Sequence, residues 1–135
     1  MEANIIYNID CLTGLRNLPD DSIDCCVTSP PYFNLRDYGV SGQIGLEDTP
    51  EQYIQKMVGV FHEVRRVLAP AGTLWVNIGD CYAGSGKGAA NYPDNAMKYK
   101  QGTNRGTVGR SAIVKNFDGY KSNDLIGLPW LLAFA

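Results

Sequence analysis

The sequence predicts an α/β fold built on a parallel sheet. Three observations carry that expectation: a short apolar run at residues 5–7 and mostly hydrophobic strand-like segments at 23–28 and 73–78, a long amphipathic helix between the last two, and turn-forming clusters at the junctions. Hydrophobic strands alternating with helices favour parallel pairing, because each helix covers the face of the sheet as it crosses back.

Taking the elements in order, Ile5-Ile6-Tyr7 within residues 3–8 is expected as a buried strand. Asp10 stands at its end, followed by a short helix that turns Leu12, Leu15 and Leu18 inward. Pro19-Asp20-Asp21-Ser22 is a turn by composition, and residues 23–28 form a second strand running directly into Ser29-Pro30-Pro31-Tyr32. The clearest helix begins at Thr49, which can act as N-cap, with Pro50 at the first helical position and Gln52 completing a capping box. Ile54, Met57, Val58, Phe61, Val64 and Leu68 then recur at three- and four-residue steps on one face. His62 lies among Glu63, Arg65 and Arg66, so an exposed histidine is expected there and not a ligand or base. Ala69-Pro70-Ala71-Gly72 ends the helix, and residues 73–78 form a third strand with Trp75 in the core. Asp80, just beyond it, either lines a site or merely ends the strand.

Residues 83–121 break the pattern. They hold seven glycines and no apolar periodicity, and a structureless stretch of that length within a domain is usually functional or disordered. They also hold seven Lys/Arg against two acids, a net +5, while the rest of the chain holds five basic and twelve acidic residues, a net −7. A basic segment on an acidic body suits contact with phosphates, though solvated loops are often lysine-rich too. From Asn123 a capped helix is expected, leading into Pro129-Trp130-Leu131-Leu132-Ala133-Phe134-Ala135. Those last residues carry neither a Gly nor a basic last turn, so the chain is expected to be an N-terminal part of a longer domain, with Trp130 packing against the remainder.

The composition is that of an ordinary soluble domain, 44% hydrophobic and 19% charged, with a formal net charge of −2 over 135 residues. No apolar run approaches the roughly 18 residues that span a bilayer. Met1-Glu2-Ala3-Asn4 is not the basic start of a secretory leader, so a cytoplasmic setting is expected. Cys11, Cys25, Cys26 and Cys81 make no Cys-x-x-Cys pair, and buried free thiols are expected in preference to disulfides or zinc ligands.

The junction Thr28-Ser29-Pro30-Pro31-Tyr32 is the most informative stretch for function. Ligands of open α/β sheets bind beyond the carboxyl ends of the strands. Two prolines there make a stiff loop, since each ring fixes its own φ and restricts the residue before it. The stiffness holds the Ser29 hydroxyl and the neighbouring carbonyls in place; Pro30 offers a carbonyl acceptor, and Pro31 brings no competing N–H. Tyr32 sets an aromatic face beside them. Such a set suits an exocyclic amine on a nucleobase, whose lone pair is delocalised into the ring. Two acceptors gripping its hydrogens favour a pyramidal nitrogen and free that lone pair for attack on an electrophilic methyl group.

Ser-Pro-Pro-Tyr after Val-Thr resembles the catalytic motif of amino-directed DNA methyltransferases, written in general as Asp/Asn/Ser-Pro-Pro-Tyr/Phe/Trp. Its surroundings are similar too. Asn8-Ile9-Asp10-Cys11-Leu12 and the passage from Leu18 to Asp24 resemble the family's opening, in which the acid after the first strand lies near the cofactor. Arg66-Val67-Leu68-Ala69-Pro70-Ala71-Gly72-Thr73-Leu74, followed by Asn77-Ile78-Gly79-Asp80, resembles its helix-to-strand passage. The order of parts is similar to the permuted beta-type group, in which the catalytic segment precedes a Phe-x-Gly-x-Gly cofactor segment. That segment and a target-recognition region are absent from the sequence, and Gly84-Ser85-Gly86-Lys87-Gly88 does not replace the former.

The resemblance implies a partial Rossmann-like sheet, S-adenosyl-L-methionine as cofactor, and double-stranded DNA as substrate, with the enzyme acting alone or beside a restriction endonuclease. It implies catalytic roles for Ser29, Pro30, Pro31 and Tyr32, and cofactor contacts from Asp10, Cys11, Thr28 and Ser29. Asp10 equally suits the cap of the helix that follows it, and the two roles are compatible. Ser29, where many relatives carry Asp, leans the target toward cytosine N4 over adenine N6. Two other readings stay open at this point: an inactive fragment, and a methyltransferase of RNA or of protein glutamine.

Overall fold

The computed structural model describes residues 2–36, 38–84 and 117–135. The basic segment expected as a loop therefore lies, from 85 to 116, outside the described residues. The element order is α1 (Cys11–Arg16), β1 (Ile23–Thr28), α2 (Pro50–Val67), β2 (Leu68–Val76) and α3 (Leu128–Phe134). These residues form two compact units, one comprising Met1–Pro30 and Gln55–Asn77, the other Pro31–Ile54 and Ile78–Ala135.

In the first unit β1 and β2 pair in parallel, as the strand–helix–strand order requires, in the register Cys25↔Thr73, Cys26↔Leu74, Val27↔Trp75 and Thr28↔Val76. The register slips between Ile23, which faces Leu68, and Cys25. The slip absorbs Ala69-Pro70-Ala71-Gly72, so the expected turn persists as an irregularity inside a strand that starts five residues early. Asp10 caps α1, accepting from the Thr13 N–H at 2.9 Å. The end of α2 is held from outside: Asp21 and Ser22 donate their N–H groups to the carbonyls of Arg66 and Val67, which have no partner within the helix. Arg66 spreads its guanidinium over the Leu15 and Leu18 carbonyls and the carboxylates of Asp20 and Glu63. The buried apolar residues of α2 here are Met57 and Val64, on the predicted face, and Val67, which lies outside the predicted set.

The second unit is built around aromatic rings. Phe33 and Tyr53, both buried, stack tilted at a centroid distance of 5.4 Å, and Phe33 meets Phe117 at 5.6 Å. Burying a ring of this size is worth about 1.5–3 kcal/mol, which makes the cluster the main apolar anchor of the unit. Thr49 caps α2 as expected, taking the Gln52 N–H on Oγ1 at 3.3 Å, while the Gln52 side chain reaches back to Asp48 N–H, one residue before the cap. Residues 81–83 and 123–126 run antiparallel, with a bridge between Tyr82 and Leu125, so the two flanks of the basic segment are clasped together.

Several expectations are corrected. Residues 5–7 form no strand: Ile6 is almost fully exposed, since an apolar run becomes a strand only where a neighbouring backbone takes up its N–H and C=O groups. Trp75 is 64% exposed and shares an open sheet face with its partner Val27, so it is not a core residue. The last helix starts at Leu128, because Asn123, with φ +71°, sits in a turn. Trp130 is exposed. The four cysteines are free, but Cys11 and Cys25 are exposed. No helix among the described residues is long and apolar enough to cross a membrane, and His62 is exposed as expected.

Candidate active site

The motif falls where two units meet in sequence: Ser29 follows Thr28 at the end of β1 and, with Pro30, closes the first unit, while Pro31 and Tyr32 open the second. In the first unit the Thr28 carbonyl accepts from Asn77 N–H at 2.9 Å, which extends the parallel ladder past the end of β2. Ser29 beyond it is exposed and Pro30 half-buried. Asp10 is exposed as well. Its Oδ1 accepts from both the N–H and the hydroxyl of Thr13, and those bonds hold the carboxyl below the usual carboxylate range. The capping reading of Asp10 is thus realised, with the charge still facing water. Cys11 opens α1 and is exposed; Thr28 is half-buried.

In the second unit Pro31 and Tyr32 are gripped from several sides by residues to which the sequence assigned no role. The Pro31 carbonyl accepts from the Tyr53 hydroxyl at 2.9 Å. Burial pushes the Tyr53 phenol up to about 12, with Glu47, Cys81 and Tyr32 adding to the shift, so it stays a neutral donor at any physiological pH. The Tyr32 ring lies against the backbone of Gly79, where a Cβ would come within 2.9 Å of the ring edge. The Tyr32 carbonyl sits beside Gly45 (φ +103°), at which a Cβ would meet that oxygen at 2.9 Å. The Gly45 N–H donates to the buried carboxylate of Glu47 at 2.8 Å.

Asp80, left open between two roles, is a structural anchor. Its carboxylate accepts from Cys81 N–H at 2.8 Å, Gly127 N–H at 2.9 Å and Leu128 N–H at 3.0 Å, and so caps α3 from 47 residues away. Among the described residues no group of His, Cys, Asp and Glu could hold a metal ion.

The amino acids that build this geometry also match a known family. A profile described as DNA methylase, of the N6/N4 type, matches residues 23–128, most of the chain. The chain belongs to that family. Among curated methylases, the Type II methyltransferase M.XycI of Xanthomonas campestris pv. cyanopsidis is 42% identical over 139 aligned positions, covering 100% of this chain and 42% of the relative. M.Cfr9I of Citrobacter freundii is 43% identical over 96% of this chain and 40% of its own length. M.SmaI of Serratia marcescens is 43% identical over 93% of this chain, again 40% of its own length. This methylase chain thus spans about two-fifths of the length of these curated relatives. No solved structure matches it significantly.

The family match supports the resemblance drawn from Ser29-Pro30-Pro31-Tyr32 and its flanking landmarks. Tyr53, Gly45 and Glu47 carried no such signal, and Gly79 entered only within the Asn77-Ile78-Gly79-Asp80 landmark, with no role of its own. A tyrosine near the start of an amphipathic helix reads as one more apolar residue, and only the folded chain reveals that its hydroxyl meets a motif carbonyl.

Proposed function

We propose that this chain carries the catalytic part of a DNA methyltransferase that transfers a methyl group from S-adenosyl-L-methionine to an exocyclic amine of a base flipped out of duplex DNA. The observation that carries the reading is the Ser29-Pro30-Pro31-Tyr32 junction at the end of β1, in a chain 42% identical over its whole length to a Type II methyltransferase. In that reading the Ser29 hydroxyl and the Pro30 carbonyl accept the two amine hydrogens, and Tyr32 stacks on the base. Flipping costs a few kcal/mol, and stacking on one aromatic face returns about 1–3 kcal/mol of it. The loop's stiffness supplies orientation, since Pro30 and Pro31 fix the backbone on either side of the accepting carbonyl.

S-adenosyl-L-methionine, when bound, supplies the electrophilic methyl group. The residues offered for holding it suit its donors: Asp10 is ionised and open to solvent, ready to accept from hydroxyl or ammonium groups, with Cys11 beside it and the Thr28 and Ser29 hydroxyls at the end of β1. The Rossmann-like sheet of which β1 and β2 would form part, and a restriction endonuclease acting beside the enzyme in the cytoplasm, belong to the same proposal. Ser29 in place of an acid favours cytosine N4 as the target.

The test is transfer of a labelled methyl group from S-adenosyl-L-methionine to duplex DNA, with the product nucleosides separated by mass. N4-methylcytosine is the expected product, lost in Ser29→Ala. N6-methyladenine would overturn the target preference alone. Label appearing only in RNA or protein would replace DNA as the substrate, and a fully active Ser29→Ala variant would remove that residue from the mechanism.

A further inference from the structure

We infer that Tyr53 and Gly79 are positioning residues for the motif: Tyr53 fixes the Pro31 carbonyl and Gly79 seats the Tyr32 ring. The inference rests on the proposed methyl transfer and adds to it two residues that touch neither substrate nor cofactor.

A Pro-Pro pair exposes two carbonyls in succession, and with no N–H on either ring nothing local distinguishes them as acceptors. Tyr53 removes the ambiguity. Its hydroxyl donates to the Pro31 oxygen at 2.9 Å, leaving the Pro30 oxygen for an incoming amine. Tyr53 itself cannot wander: it has no exposed surface, its ring packs on Phe33, and its place in the first turn of α2 follows from the cap at Thr49. Without the hydroxyl, the Pro31 carbonyl would be a half-buried acceptor in search of a partner, and a small rotation of that peptide would move the neighbouring acceptor too.

Gly79 does for the ring what Tyr53 does for the carbonyl. Its bare backbone allows Tyr32 to settle where a Cβ would stand 2.9 Å from Cε2 and 3.2 Å from Cδ2. Any side chain at 79 would push the ring off that seat. Stacking falls off once two rings lose their overlap, so the height of the ring sets how well it holds a flipped base.

The full chain is tested as the unmodified protein, Tyr53→Phe, Gly79→Ala, Tyr32→Ala and the double variant Gly79→Ala/Tyr32→Ala, by initial rates of methyl transfer to duplex DNA. Tyr53→Phe and Gly79→Ala should each lower kcat by roughly 10- to 100-fold, the cost of a small misplacement of reacting groups, while KM for DNA stays within about two-fold. In the Tyr32→Ala background Gly79→Ala should cost nothing further, since there is no ring left to displace. A second readout needs no activity: with 13C-carbonyl proline, the Pro31 signal and that of the adjoining Pro30 should move in Tyr53→Phe while those of the five other prolines hold still. A stationary Pro31 signal, or full kcat in Tyr53→Phe, overturns the role of Tyr53. An undiminished Gly79→Ala effect in the double variant overturns that of Gly79. An unmodified chain that transfers no methyl group to DNA refutes the proposed function, and the Pro31 signal then decides the Tyr53 contact by itself, whereas an active chain with silent variants refutes the positioning alone.

Discussion

Replacing Asp80 by alanine removes a carboxylate that gathers three backbone N–H groups, those of Cys81, Gly127 and Leu128. The bond to Cys81 is local and easily replaced by water. The other two are not, because the N-cap of α3 is Gly127, which has φ +83° and no side chain to cap with. Hydrogen bonds to a charged partner contribute about 1.5–3 kcal/mol each, and loss of a helix cap costs about 0.5–2 kcal/mol. Water will satisfy part of what a half-buried site loses, so Asp80→Ala should destabilise the second unit by about 2–4 kcal/mol. Asp80→Asn, which keeps one acceptor oxygen and loses the charge, should cost about half as much. Amide hydrogen exchange reports the effect locally. The N–H groups of Leu131 and Ala135, bonded to the Gly127 and Leu131 carbonyls, should exchange at least roughly ten-fold faster in Asp80→Ala. Exchange within a factor of about two of the unmodified chain would refute the argument, since a true cap cannot be removed without loosening the turn it holds.

Three further outcomes are expected. The Tyr53 phenol, raised in the folded chain to about 12 from about 10, contributes stability that is complete below pH 10 and lost as pH climbs toward 12, about 2–3 kcal/mol in all. Urea midpoints measured from pH 9 to 11 should therefore fall more steeply in the unmodified chain than in Tyr53→Phe; Tyr120, shifted in the same direction by burial, leaves the variant a residual slope. Gly45→Ala and Gly59→Ala should have opposite signs. The first forces a side chain onto φ +103° and against the Tyr32 carbonyl, at a cost of about 2 kcal/mol or more, while the second improves an exposed helical position with open space around it by about 0.5–1 kcal/mol. Arg66→Lys should lower the urea midpoint although the charge is kept, because an ammonium cannot reach the Leu15 and Leu18 carbonyls and two carboxylates as the guanidinium does.

The sequence by itself determined what depends on neighbours along the chain. β1 was legible to the residue because 23–28 is a mostly apolar stretch, broken only by Asp24 and closed by Thr28, with a turn before it and Ser29 and two prolines after it. The start of α2 was legible because Thr49, Pro50 and Gln52 act within one turn, and its inward face because apolar residues recur with the helical period. The motif at the end of β1, with its flanking landmarks, was enough to identify the family. Burial and long-range pairing were not legible. Ile5-Ile6-Tyr7 and Trp75 have the chemistry of core residues, yet a side chain is buried only when something covers it, and a run becomes a strand only beside another. Tertiary structure alone decided that Asp80 caps a helix that starts 48 residues on, that Tyr53 ends its hydroxyl on the Pro31 carbonyl, and that Gly79 lies under the Tyr32 ring. Each of those contacts joins groups whose separation along the chain says nothing about their distance in space, and the packing of the aromatic cluster on Phe33 sets that distance for Tyr53.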